Sequence, residues 1–204
     1  MINDKIKMQL MFLSEADKMK RIMRQTMLTD MSRAENDAEH SWHFALTALT
    51  LFEYCGLDGA DINRVIKMAL LHDMVEIYAG DTFAYDTAGN LSKEKREKES
   101  AEKLFSLLPE YQAVEFSGLW EEFERMESPD AIYANAVDRF QSFYNNYLTD
   151  GYPWVKHGIN AGQIYERMAP VKTAIPALWE FIVRAVDECI EKGFVSPPPA
   201  SARS

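Results

Sequence analysis

No stretch of this chain alternates polar and apolar residues as a half-buried strand must. Wherever its apolar residues are periodic, the period is that of an α-helix. This predicts an all-α, single-domain bundle of six to eight helices. Helix formers run from about Asn3 to Gln25, with a re-cap at Ser14 ahead of Glu15, Ala16 and Asp17. A polar stretch, Thr29 to Asn36, leads to a helix capped by Asn36 or Asp37 that ends near Cys55, before Gly56. Asp61 caps a third helix, continuing through Ile77 toward Gly80. A loop from Asp81 to Leu91 contains Gly89-Asn90 as turn chemistry. Ser92 opens a charged helix to about Leu107, whose Lys/Glu run reads as a solvated face. Pro109 starts the next, to about Met126, and Ser128-Pro129-Asp130 caps another that reaches Leu148. An irregular loop, Gly151 to Asn160, precedes a short helix ending at Pro170. The last helix spans Pro176 to just before Gly193. The domain is then residues 1–194, and residues 195–204, with Ser196-Pro197-Pro198-Pro199, read as a disordered tail.

At 204 residues and 47% apolar content, such a bundle can bury a core without staples. Its 22 basic and 32 acidic residues leave a net charge of −10. That argues against nucleic acid or an anionic membrane as partner, but not against a small anion in a local basic pocket. Two separated cysteines, Cys55 and Cys189, fit a reduced, cytoplasmic protein. No apolar run approaches the roughly 18 residues of a membrane span, and the charged N-terminus has no signal-peptide core.

The third helix carries the first sign of chemistry. His72, Asp73 and Glu76 interrupt a face of Val65, Met68, Ala69 and Leu70, and Asp81 follows just beyond. Glu76 lies four residues after His72 and three after Asp73, so all three can share one side of a helix. Ionisable groups among apolar neighbours must be paired, protonated or bound to a metal. In the preceding helix, His40 falls in the apolar row Phe44, Ala48, Leu51, and so faces inward. Alone it reads as a core histidine. His43 falls in a polar row and reads as solvated, while His157 sits on a tryptophan-bearing loop where it either marks a loop tip or faces a substrate. Asp138 has small or polar helical neighbours, and periodicity does not decide its surroundings. Adjacent helical residues point about 100° apart, so His72 and Asp73 can share a ligand only if it lies between their directions.

Together these residues resemble a known family. The order His40, then His72-Asp73, then Asp138 in a helical chain is similar to the HD-domain metal-dependent phosphohydrolases. Longer strings sharpen the likeness. Arg33-Ala34-Glu35-Asn36-Asp37-Ala38-Glu39-His40 and Leu71-His72-Asp73-Met74-Val75-Glu76-Ile77-Tyr78-Ala79-Gly80-Asp81 resemble two signatures of the branch containing the 5′-deoxynucleotidases. The likeness covers about residues 5 to 150 and includes Leu107 to Glu110 and Leu119 to Glu124. It implies one divalent transition metal held by His40, His72, Asp73 and Asp138. A mixed nitrogen and oxygen set of this kind suits Mn, Fe, Co, Ni or Zn. It further implies catalytic roles for Glu76 and Asp81 and a phosphate-binding Arg33. Arg24 matches a second arginine if one extra residue is allowed in the loop between. The implied reaction is hydrolysis of a nucleoside 5′-monophosphate by metal-activated water, in a protein whose relatives often form homodimers. An HD hydrolase of a cyclic nucleotide, a nucleoside triphosphate or a phosphorylated metabolite is the alternative within the family. A metal-bearing regulator or scaffold is the alternative outside enzymes.

One departure concerns specificity. Gln25 stands where the bacterial deoxynucleotidase has a tryptophan near the sugar and base. Base stacking on an aromatic ring is worth about 1–3 kcal/mol, so its loss at position 25 predicts broad or shifted base and sugar discrimination. A panel of ribo- and deoxyribonucleoside 5′-monophosphates checks this, and exclusive selectivity for deoxy forms contradicts it.

Overall fold

The computed structural model describes residues 3–86, 89 and 91–198. The Gly89-Asn90 turn therefore falls partly outside the described residues. The helices are α1 (Asp4–Ala16), α2 (Asp37–Leu51), α3 (Ile62–Leu71), α4 (Glu76–Ala79), α5 (Lys93–Phe105), α6 (Glu110–Arg125), α7 (Pro129–Leu148), α8 (Tyr152–His157), α9 (Ala161–Ala174) and α10 (Trp179–Glu191). Among the described residues, eight of these have ten residues or more, as the periodicity predicts. The expected caps act. Asn36 and Glu39 form a reciprocal capping box, Asp61 accepts from the Asn63 amide, and Ser128 accepts from the Ala131 amide.

α7 organises the bundle. Thirteen of its 20 residues are buried, so it is surrounded, and it packs against α2, α3, α6 and α9. The core runs from Phe12 in α1 to Cys189 in α10 and on to Val195. Cys55 and Cys189 are both free thiols.

The structure departs from these expectations in several places. The N-terminal helix does not reach Gln25. α1 passes Ser14 without a re-cap and ends at Ala16, a 3-10 turn follows over Asp17–Arg21, and Met23–Met27 forms strand β1. β1 pairs antiparallel with strand β2 (Ala34–Asn36), matching Met23 with Asn36 and Met27 with Ala34 across an irregular register. Within β1 only Thr26 favours a strand, too little to signal one, and the ladder is held where Thr26 and Glu35 are buried against the bundle. The expected third helix breaks at Leu71, giving way to a 3-10 turn over His72–Val75 before α4. Ser100 of α5 donates its hydroxyl to the Val75 carbonyl at that break. The charged α5 is not wholly solvated, because Glu97, Ser100, Ala101, Leu104 and Phe105 form a buried face.

The loop from Gly151 contains α8, which seats Trp154 in the core at 1% exposure against Phe143. α9 runs through Pro170 to Ala174. Burial of Met168, Val171 and Ala174 outweighs the one hydrogen bond that proline cannot donate. The segment expected as a tail is tied down where it is described. Val195 is buried, and the Ser196 carbonyl accepts from the Ala161 amide at 2.9 Å. Residues 199–204 lie outside the described residues.

Phe44 shows how the core supports the cluster above it. It is fully buried, meets the His72 ring edge-on at 5.2 Å between centroids, and touches Phe123. Phe44→Ala should lower unfolding free energy by about 3–5 kcal/mol, the usual cost of removing a buried phenyl ring, as read by urea denaturation. A change near zero would show that the ring bears no load.

Candidate metal centre and active site

Four elements converge on one buried point. α2 brings His40, the 3-10 turn after α3 brings His72 and Asp73, α7 brings Asp138, and β1 brings Arg24. His40 Nε2 lies 2.9 Å from Asp138 Oδ1 and 3.6 Å from Asp73 Oδ2. His72 Nε2 lies 3.1 Å from Asp73 Oδ2 and 3.9 Å from Asp138 Oδ1. The break at Leu71 resolves the tension between adjacent residues, since it sets both side chains on the same point.

Both imidazoles are oriented from behind. Gln141 uses its two amide N–H groups on Glu35 Oε1 (3.1 Å) and His43 Nδ1 (3.0 Å), so its Oε1 accepts from His40 Nδ1 at 2.7 Å. His72 Nδ1 donates to the Ala69 carbonyl at 3.0 Å. In each ring the proton then sits on Nδ1 and the Nε2 lone pair faces the carboxylates. Two lone pairs against two carboxylates repel one another unless a cation lies between. The His72 Nε2 atom is buried with no hydrogen-bond partner among the described residues. This donor set fits a divalent transition ion.

The charges respond accordingly. Burial pulls Asp73 and Asp138 upward. His72 and Arg24 nevertheless hold Asp73 well below the ordinary carboxylate range, and the adjacent His40 imidazole holds Asp138 below it. For His72, burial disfavours the cation, but Asp73 outweighs it and the net shift is upward.

A pocket of about 320 Å³ opens onto this point and is lined by Arg24, Gln25, His72, Asp73, Glu76, Asp81 and Asp138 among others. Glu76 is 4% exposed and its Oε2 has no partner among the described residues. Burial, then Asp73 and Asp37, push its carboxyl well above the usual value, which favours the neutral form. Asp81 is raised too, chiefly by burial, though Arg24 opposes the shift. Gly80 makes this placement possible. At φ +77 and ψ 148, a combination open essentially to glycine, it turns the chain so that Asp81 re-enters the pocket.

The structure separates the two arginines. Arg24 donates to Asp73 Oδ2 at 2.6 Å and lines the pocket. Arg33, expected as the phosphate-binding arginine, is instead exposed on the rim of the hairpin. It grips Glu39 with both ends of its fork and the Ala34 carbonyl at 3.0 Å, so it is not brought to the pocket. The capping box explains this, since it fixes Glu39 at the helix start where it captures the nearest arginine. His43, read as solvated, is half-buried and touches Gln141. Gln25 and His157 meet at 3.1 Å on the pocket's outer side.

Several residues escaped sequence reasoning. Asp37 is fully buried, with its carboxyl pushed up to about 7 by burial and by Asp73. It sits three residues before His40, on the same helical face, and that spacing was the available signal. Lys93 and Glu97 of α5 turn into the pocket, where burial pushes Glu97 up to about 7. Arg139 and Arg167 also line it, with Arg167 Nη2 3.8 Å from Asp138 Oδ2.

Comparison with known proteins agrees with this geometry. A family model described as HD domain matches residues 16–179. The chain is 30% identical over 131 residues to the 5′-deoxynucleotidase HDDC2 of Homo sapiens, covering 64% of this chain and 62% of that protein. It is 32% identical to the Bos taurus protein of the same name over the same shares. The match thus spans less than two thirds of these relatives' length. The crystal structure of a predicted metal-dependent phosphohydrolase from Magnetospirillum magnetotacticum MS-1 superposes with a TM-score of 0.90 at 44% identity, covering 95% of this chain and 96% of that one.

Gln141 provides a test of the orientation chain. Gln141→Met keeps the bulk and removes the acceptor for His40 Nδ1. Losing such an outer partner typically weakens metal affinity about 10–100-fold. Calorimetric titration with Mn²⁺ or Co²⁺ should show that loss with the circular dichroism spectrum unchanged. Unaltered affinity would mean that His40 needs no such support.

Proposed function

We propose, on the premise that this chain belongs to the HD domain family, that it is a metal-dependent phosphomonoesterase acting on nucleoside 5′-monophosphates, deoxy forms included. The observation carrying this reading is a single pocket onto which His72, Asp73 and Asp138, with His40 behind them, a partly buried arginine and a buried carboxyl raised by its surroundings converge. A structural metal site needs only its ligands. The presence of Arg24, Glu76 and Asp81 beside them supports catalysis over a scaffold role. The deoxynucleotidase names of the HDDC2 relatives support the substrate class.

In this reading His40, His72, Asp73 and Asp138 hold one divalent transition ion. Such an ion lowers the pKa of bound water and polarises the phosphoryl group. Arg24, anchored on Asp73, stabilises negative charge on the phosphate oxygens with its planar fork. Glu76, whose carboxyl burial raises well above the usual value, gives a proton to the departing sugar oxygen. Asp81, across the same pocket, is the rival for that step. The protein is read as a cytoplasmic homodimer. The dimer is supported by an exposed apolar stripe on α2, where Trp42 is 65% and Leu49 51% accessible.

Phosphate release from a phosphoester panel by metal-loaded protein tests the function. Nucleoside 5′-monophosphates should be cleaved in preference to triphosphates, cyclic nucleotides and sugar phosphates, and release from none of them overturns the reading. Glu76→Gln should lower the maximal rate by about 10²-fold or more, the usual scale of general acid–base catalysis, with metal content retained. Metal loss would place Glu76 among the ligands, and full activity would assign the step to Asp81. Arg24→Ala should reduce kcat/KM by about 10²–10³-fold, as for loss of one preorganised transition-state donor. Arg33→Ala should change kcat/KM little, because its partner is Glu39. The reverse order would restore Arg33 as the phosphate ligand.

A further inference from the structure

Beside the metal pocket lies a second recess of about 570 Å³. The two share Gln25, Asp81, Thr82, Phe83 and Tyr85 in their walls, so a molecule held at the metal end extends naturally into the second. Its outer wall is aromatic. The His157 ring lies 4.4 Å from the Phe83 ring between centroids, tilted by 39°, and Tyr85 packs on Phe83 at 5.3 Å.

This wall is held from three elements. His157 Nε2 donates to Gln25 Oε1 at 3.1 Å, and Lys156 Nζ donates to the same oxygen at 3.1 Å, tying α8 to β1. With the Gln25 oxygen committed twice, its amide N–H groups are left uncommitted among the described residues. Arg96 of α5 braces the segment carrying Phe83, donating to the Ala79 carbonyl and, at 2.9 Å, to Thr82 Oγ1. Ring faces beside a fixed amide donor suit a flat aromatic ligand bearing ring-nitrogen or carbonyl acceptors. A charged or aliphatic group would use neither.

We infer that Phe83, His157 and Gln25 form the nucleobase-recognising end of the substrate cleft. The base stacks on the Phe83–His157 pair and accepts a hydrogen bond from the Gln25 amide. This rests on the nucleoside 5′-monophosphate reading and adds to it the residues that set base dependence. Aromatic surface absent at position 25 is then supplied by the segment after α4 and by α8.

The test compares two substrates that differ only in the base, 2′-deoxyadenosine 5′-monophosphate and 2-deoxyribose 5-phosphate. Phosphate release gives kcat/KM for each, and their ratio isolates the base. The wild-type ratio should be well above one. Phe83→Ala and His157→Ala should each lower it about tenfold, in the range of a lost base–aromatic contact. His157→Phe, which keeps a ring, should retain the greater part of it. A variant that folds poorly loses both activities together and leaves the ratio in place, so misfolding cannot imitate the expected result. An unchanged ratio in both alanine variants, a wild-type ratio near one, or a His157→Phe ratio as low as that of His157→Ala overturns the assignment and leaves the phosphomonoesterase reading standing. Release from neither substrate by the metal-loaded wild type overturns that reading and this assignment with it.

Discussion

Four carboxylates, two imidazoles and one guanidinium share a small buried volume in this protein, and none can be charged there without a partner. Asp37, Asp73, Glu76 and Asp138 would repel one another in a medium of low dielectric. Three devices make the cluster tolerable. Arg24 neutralises Asp73 and faces Asp37 at 3.5 Å, the two histidines face Asp73 and Asp138, and burial shifts Glu76 toward its neutral form. A divalent ion between the imidazole nitrogens and the carboxylates would complete this compensation. The same arrangement that lets the site exist in a folded core also gathers the groups that the proposed phosphomonoesterase reaction would use.

Much of the surrounding architecture serves that requirement. The hairpin of β1 and β2 is short and weakly patterned, yet it carries Arg24 across the mouth of the cluster and Glu35 underneath it. The break after Leu71 swings His72 and Asp73 onto one point, and Gly80 returns Asp81 to the same pocket. Glu35, Gln141 and His43 form a largely buried polar chain that fixes the His40 ring. Such networks rigidify a site because a half-made version costs more than an apolar replacement.

The legible parts of this design were those with local causes. Helix positions followed from periodicity and caps, since a 3.6-residue repeat and an Asn36–Glu39 or Ser128 cap are set within one or two turns. His40 could be turned inward on its row alone. The strands, the passage of α9 through Pro170 and the 3-10 turn at His72 were not legible, because each opposes local propensity and persists through burial against α7 or α5. The choice between Arg24 and Arg33 was also hidden. Arg33 lies nearer His40 in sequence, but a helix-start glutamate captures it, while Arg24 reaches the cluster across the hairpin.

By itself, then, the sequence determined a helical bundle of this size and, in His72, Asp73 and Glu76, three ionisable groups that can share a helix face, while His40 and Asp138 joined them only through the family resemblance. The helix-face grouping follows from distances along the chain of four residues or fewer. Tertiary structure decided which arginine serves the site, that Asp37, Lys93 and Glu97 join it, and that Phe83 meets His157 beside Gln25. Those pairings join residues up to 132 positions apart. They are chosen by which buried charges need neutralising and which rings can be packed, and those quantities exist only once the helices have come together.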